Sequence, residues 1–182
     1  MDYSKFALFL NQKYETSREI IFLGIGNHES VLHFGACEEG LNFIDVLDQF
    51  ELDIQYTAVD IKDEVKTLFS DFEPQHRTHT WISTQESMQE FIDNIDNQKY
   101  HWTILTGVFD KPLYSERQYQ FIDTTIKSCL EFSDNVILTI DENSSADFKY
   151  SMIYLFSHFT NAYDIVTVKK IDAGKYIFHI TK

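Results

Sequence analysis

"SVLHFGACEEGLNFIDVLDQF" (residues 30–50) joins two hydrophobic patterns of different period, and the join decides how the chain folds. Residues 30–35 form a short apolar run of the kind that makes a buried strand. Leu41, Ile44, Leu47 and Phe50 then recur at helical spacing, the stripe of an amphipathic helix. Between them lies "GACEEG" (35–40). A glycine-bearing turn that leaves a strand and opens a helix is suited to a ligand, because the strand delivers the backbone to the sheet edge and the helix start offers free N–H groups. The nearby "GIGN" (24–27) has the opposite surroundings. It follows "YETSREIIFL" (14–23), in which Ser17 is placed to cap a helix carrying Ile20, Ile21 and Leu23, and it precedes the strand. It reads as a helix stop, where glycine takes positive φ without steric cost. The ligand loop is therefore expected at 35–40.

Outward from this unit the alternation continues. Strands are expected at 54–61, 78–83, 101–109 and 135–141, separated by helical stripes at Val65, Leu68 and Phe69, at Met88, Phe91, Ile92 and Ile95, and at Tyr119, Ile122, Ile126 and Leu130. Strands alternating with helices imply an α/β fold with a mostly parallel sheet and helices on both faces. After a helix around 145–160, "YDIVTVKKI" (163–171) and "KYIFHITK" (175–182) are joined by "DAG", which signals a C-terminal antiparallel hairpin and brings the strands to seven. No linker or repeat interrupts the pattern, so one domain is expected over 1–182, with residues 1–29 as an N-terminal helical extension. The second strand ends near Asp60, twenty residues past Gly40. A βαβ unit places there a carboxylate that accepts hydrogen bonds from ribose hydroxyls.

Charge and cysteine usage narrow the function classes. A net charge of −14 repels phosphate backbones and makes nucleic acid an unlikely partner. Cys37 and Cys129 are the two cysteines and lack CxxC spacing, so neither a zinc knuckle nor a disulfide framework is suggested, which fits a reducing cytoplasm. No apolar run approaches the length needed to span a bilayer, so no membrane association is expected. His76 and His79 lack metal-ligand spacing, and no metal site is expected. Cys37 stands at a helix start that would activate a thiol, but no paired base accompanies it.

"SVLHFGACEEGLNFIDVL" (30–47) and "QYTAVDIKDE" (55–64) resemble, without gaps, two signatures of the class I S-adenosylmethionine-dependent methyltransferase family, V-L-D-x-G followed by C-G-x-G-x-L, and Y-T-G-V-D-I. The likeness is strongest to small bacterial and phage-type members. "HWTILTGVFDKPLY" (101–114) resembles that family's fourth strand and its loop, and the terminal hairpin resembles its sixth and seventh strands. The resemblance runs over about residues 17–182 and implies the Rossmann-like methyltransferase fold, S-adenosylmethionine as cofactor, and transfer of its methyl group to a small-molecule, glycan or protein acceptor. It implies that the loop from Gly35 through Ala36 and Cys37 to Gly40 faces the methionine part, that Asp60 holds the ribose and Ile61 packs on adenine. Ser83 and Thr84, past the third strand, would flank the adenine edge, and Thr106 would line the pocket beyond the fourth strand. Asp110 would be the catalytic base or orient a substrate amine, with Phe109 or Tyr114 packing on the acceptor. The chain departs from the pattern at His33, where the family has an acid, and at Cys37 and Glu39, where it has glycines. A side chain at such positions obstructs close approach of backbone and ligand. The alternative is a catalytically degenerate protein that keeps the fold for binding, assembly or a structural role. A dinucleotide-binding Rossmann protein is disfavoured by the hairpin and the incomplete G-x-G-x-x-G.

Overall fold

A computed structural model of the chain describes residues 14–62, 64–71, 80–110, 115–142, 150–172 and 174–182. A helix over residues 14–21 (α1) precedes β1 (Ser30–Phe34), α2 (Cys37–Gln49), β2 (Gln55–Asp60), α3 (Glu64–Asp71), β3 (Thr80–Gln85) and α4 (Met88–Asp93). There follow β4 (Tyr100–Leu105), α5 (Ser115–Phe132), β5 (Ser133–Asp141), α6 (Met152–Ala162), β6 (Ile165–Asp172) and β7 (Lys175–Thr181). The strands make one sheet in the order β3-β2-β1-β4-β5-β7-β6. The first five are parallel, and β7 lies antiparallel between β5 and β6.

Parallel strands covered on both faces need apolar residues at successive positions, and β1 supplies them. Val31 packs among Ile20, Phe43 and Leu47 beneath α1 and α2. Its neighbours Leu32 and Phe34 face Ile122, Ile126 and Phe159 of α5 and α6 on the other side. The chain runs outward from β1 to β3 and then crosses back to β4, so connections leaving β1 and β4 diverge. That divergence opens a crevice at the carboxyl ends of the strands, the usual ligand position in open α/β sheets.

Boundaries differ from sequence expectation in a few instructive places. Gly24 stops α1 at φ +124°, as its surroundings imply. Ser17 is not a cap: it lies inside α1, fully buried. The fourth strand ends at Leu105, and the apolar residues that suggested a longer run turn away, with Gly107 at φ +67°. Third-strand pairing continues to Gln85, opposite Asp60. Helix α6 starts at Met152, where the Ser151 hydroxyl accepts from the Tyr154 N–H at 3.3 Å; Tyr150 and Ser151 precede it outside the helix, and residues 145–149 of the expected helix lie outside the described residues. Among the described residues no helix is long and apolar enough to cross a membrane.

Candidate functional site

The crevice holds an open cavity of about 720 Å³ at the ends of β1, β2 and β4. Its floor depends on Gly35, which follows β1 at φ +70°. A Cβ there would sit 1.9 Å from the Thr106 carbonyl oxygen, so only glycine lets the β1 and β4 ends approach this closely. The turn is short. Ala36 is the N-cap and α2 begins at Cys37, so most of "GACEEG" is the first helical turn instead of a free loop.

Asp60, at the end of β2, is the cavity's most tightly held carboxylate. One oxygen accepts from the Cys37 N–H at 3.2 Å, and the other accepts from the Lys62 N–H at 2.9 Å. The first bond satisfies an otherwise orphan donor at the start of α2, which has no side-chain cap of its own. Each carboxylate oxygen retains a second lone pair for a ligand. Cys37 lies at this helix start, yet its thiol is pushed up in pKa, first by burial, with Lys62 opposing. The helix-start position therefore does not make it a thiolate.

Behind the floor runs a buried hydrogen-bond relay. His33 Nδ1 is 2.6 Å from the Tyr56 hydroxyl, and His33 Nε2 is 2.6 Å from Thr106 Oγ1. The Thr106 hydroxyl donates to the Gly35 carbonyl at 3.2 Å. One proton arrangement satisfies all of these: Tyr56 donates to Nδ1, Nε2–H donates to Thr106, and Thr106 donates onward. Burial lowers the His33 pKa to about 3, which keeps the ring neutral. The residue that replaces the expected acid is thus a structural tie across β2, β1 and β4.

The structure brings together Gly35, Cys37, Asp60, Ile61, Thr106 and Asp110 on the cavity wall. Other expected residues fall elsewhere. Ala36 is fully buried in the core behind the wall. Gly40 points into the core, where a Cβ would meet Phe69 and Tyr56 at 2.8 Å. Ser83 and Thr84 lie within β3, paired with Ala58 and Val59. In their place Glu86, Ser87 and Met88 reach the cavity, because the strand runs two residues further than its apolar pattern. A signal for this was present: Ser87 and Glu90 form a capping box, and S-x-x-E marks where α4 starts and hence where the strand must stop. Phe109 is fully buried edge-on to Phe121 and cannot pack on an acceptor. Tyr114, His76 and His79 lie outside the described residues. No group of metal-binding side chains occurs among the described residues.

Lys175, missed by sequence reasoning, also lines the cavity, with Thr139. Burial raises the pKa of Asp110, opposed by Lys175 and reinforced by Asp141. Five carboxylates on the wall (Glu38, Glu39, Asp60, Glu86 and Asp110) face the two ammonium groups of Lys62 and Lys175, so the cavity favours a cationic ligand.

Neither a protein-family model nor a curated protein sequence matches the chain. Solved structures do. The 16S rRNA methylase ArmA matches with a TM-score of 0.60 and 18% identity, over 93% of this chain and 82% of that one. Magnesium protoporphyrin IX methyltransferase from Synechocystis PCC 6803, with S-adenosylhomocysteine (SAH) bound, matches with a TM-score of 0.60 and 10% identity, over 94% and 83%. Human methyltransferase-like protein 13, also in complex with SAH, matches with a TM-score of 0.54 and 14% identity, over 100% and 82%. Five further matched chains are longer, and this chain spans 41% to 56% of them. The fold is that of class I methyltransferases.

Proposed function

We propose that this protein binds S-adenosylmethionine in the cavity and transfers its methyl group to a small-molecule, glycan or protein acceptor. The observation that carries the proposal is the Asp60 carboxylate. It is fixed by two backbone N–H groups at the wall of a 720 Å³ cavity whose floor is kept open by Gly35. That volume lies within the usual range for ligands of this size. The ligand carries a sulfonium and an ammonium against one carboxylate, so its net positive charge suits a wall rich in acids.

The cofactor supplies a methyl group already activated on sulfur, which leaves the protein chiefly the task of positioning. Asp60 holds the ribose hydroxyls, and Ile61, 72% exposed at the rim, covers the adenine. Gly35 and Thr106 shape the floor under the methionine part. Asp110, half-buried with its pKa raised, orients the acceptor or takes its proton. The net charge of −14 argues against nucleic acid as acceptor. Two free, buried cysteines fit a cytoplasmic location.

Calorimetric titration with S-adenosylmethionine tests the proposal. Binding is expected, and Asp60→Ala should weaken it by about 1–3 kcal/mol through loss of charge-assisted hydrogen bonds. Absence of heat at millimolar ligand refutes the proposal, and an unchanged affinity in the variant refutes the role of Asp60.

A further inference from the structure

Where β5 ends and β7 begins, the cavity wall pairs a cation with a buried hydroxyl. The two strands run antiparallel, with Asp141 opposite Lys175 and Thr139 opposite Ile177. Thr139 and Lys175 are therefore diagonal neighbours on one face of the sheet, at a spacing of about 7–8 Å that a long side chain bridges. Both line the cavity. Thr139 is 2% exposed, and its hydroxyl has no hydrogen-bond partner among the described residues. Lys175 is half-buried, and its ammonium spends one of three donors on Thr16 Oγ1 at 3.1 Å. The ion pairs formed within 4.0 Å among the described residues all join other groups, so no carboxylate of those residues touches it. A partly desolvated cation and an unsatisfied hydroxyl on one cavity wall both gain from an anion placed between them.

We propose that Lys175 and Thr139 bind the carboxylate of a small acidic acceptor, whose hydroxyl or amine then lies at Asp110. The inference rests on the methyl-transfer reading above and narrows its acceptor to a carboxylic acid. Position separates this subsite from the ribose site. In the sheet order β7 stands four strands from β2, which carries Asp60, or about 19 Å at about 4.8 Å per strand. It stands two strands from β4, or about 10 Å, and Asp110 returns to the β4 end: its Oδ2 lies 3.7 Å from where a Gly107 Cβ would be. Lys175 opposes the burial that raises the Asp110 pKa, so the ammonium and the carboxyl lie within electrostatic reach of each other. The donor set suits a carboxylate, with the ammonium on one oxygen and the hydroxyl on the other. One ammonium on a wall of five carboxylates matches a monoanion, whereas a phosphate monoester brings nearly two charges at neutral pH.

The test uses acid and amide pairs of one shape: para-hydroxybenzoate with para-hydroxybenzamide, and para-hydroxyphenylacetate with its amide. Ligand-observed NMR titration of the protein with SAH should show the acid of at least one pair binding roughly tenfold or more tightly than its amide. Lys175→Met should bring that ratio to within about twofold while leaving calorimetric SAH affinity within about twofold. Thr139→Val, which keeps the shape and removes the hydroxyl, should reduce the ratio by about threefold to tenfold. Acids that bind no better than their amides, including the case in which neither binds, overturn the subsite. A Lys175→Met protein that loses SAH affinity also overturns it, because the cation then serves the cofactor. If the unsubstituted protein fails to bind SAH yet prefers the acids, the cofactor assignment fails and the carboxylate subsite stands. Should Lys175→Met fold poorly by circular dichroism, Thr139→Val decides the matter.

Discussion

His33 should make the protein acid-sensitive by a calculable amount. The imidazole is fully buried, with both nitrogens engaged by hydroxyl groups and its pKa lowered to about 3 from the usual 6.5. In the unfolded chain the ring takes up a proton below about pH 6.5, whereas the folded chain resists until near pH 3. The unfolded state therefore binds more protons through this window, and stability falls as pH falls. Stability attributable to the neutral ring is complete above pH 6.5 and has declined by about 2 kcal/mol at pH 5, since one and a half pKa units correspond to about 2 kcal/mol. His33→Gln removes the titration while retaining an amide that can both donate and accept. Urea unfolding of both proteins at pH 7.5 and pH 5 isolates the effect, because other titrating groups cancel in the comparison. The substituted protein should be less stable at neutral pH, and the gap should narrow by about 2 kcal/mol at pH 5. Parallel losses in both proteins, with a constant gap, would show that His33 is not held neutral by its surroundings.

Two further perturbations probe the site. Gly35→Ala places a methyl group 1.9 Å from the Thr106 carbonyl oxygen at φ +70°, and the combined backbone and overpacking cost is about 2–5 kcal/mol by urea unfolding. Gly26→Ala is the control: its nearest neighbour is the Glu29 side chain at 3.8 Å, so a comparable loss there would refute the argument from close approach. Asp110→Asn should reduce kcat/KM by about a hundredfold or more once an acceptor is known. Because burial raises the Asp110 pKa, activity of the unsubstituted protein should rise with pH as that carboxyl ionises. A variant that kept this rise would exclude Asp110 as its source.

Local pattern carried much of the fold. The switch from a strand run to a helical stripe around Gly35, the "DAG" hairpin and the glycine stop at Gly24 are short-range features, and each appears where the chain chemistry puts it. The position of Asp60 on the cavity wall was also readable, because its distance from the turn is set by the lengths of one helix and one strand. Ser83 and Thr84 were misplaced because strand ends depend on pairing register: β3 follows β2 to the Asp60–Gln85 pair, whatever its own apolar pattern suggests. Gly40 was misread because a glycine in a helical first turn can serve close packing, here against Tyr56 and Phe69, as well as ligand approach.

By itself the sequence determined the order of elements, the turn that opens the site and the acid that faces it, since all three follow from periodicity and spacing within some thirty residues. Only the tertiary structure decided what the unexpected residues do. His33 meets Tyr56 and Thr106 across 23 and 73 positions, Glu39 meets Ser17 across 22, and Lys175 meets Thr16 across 159. Hydrogen bonds reach about 3 Å and are indifferent to chain separation, so partners this remote become visible only when the sheet is assembled.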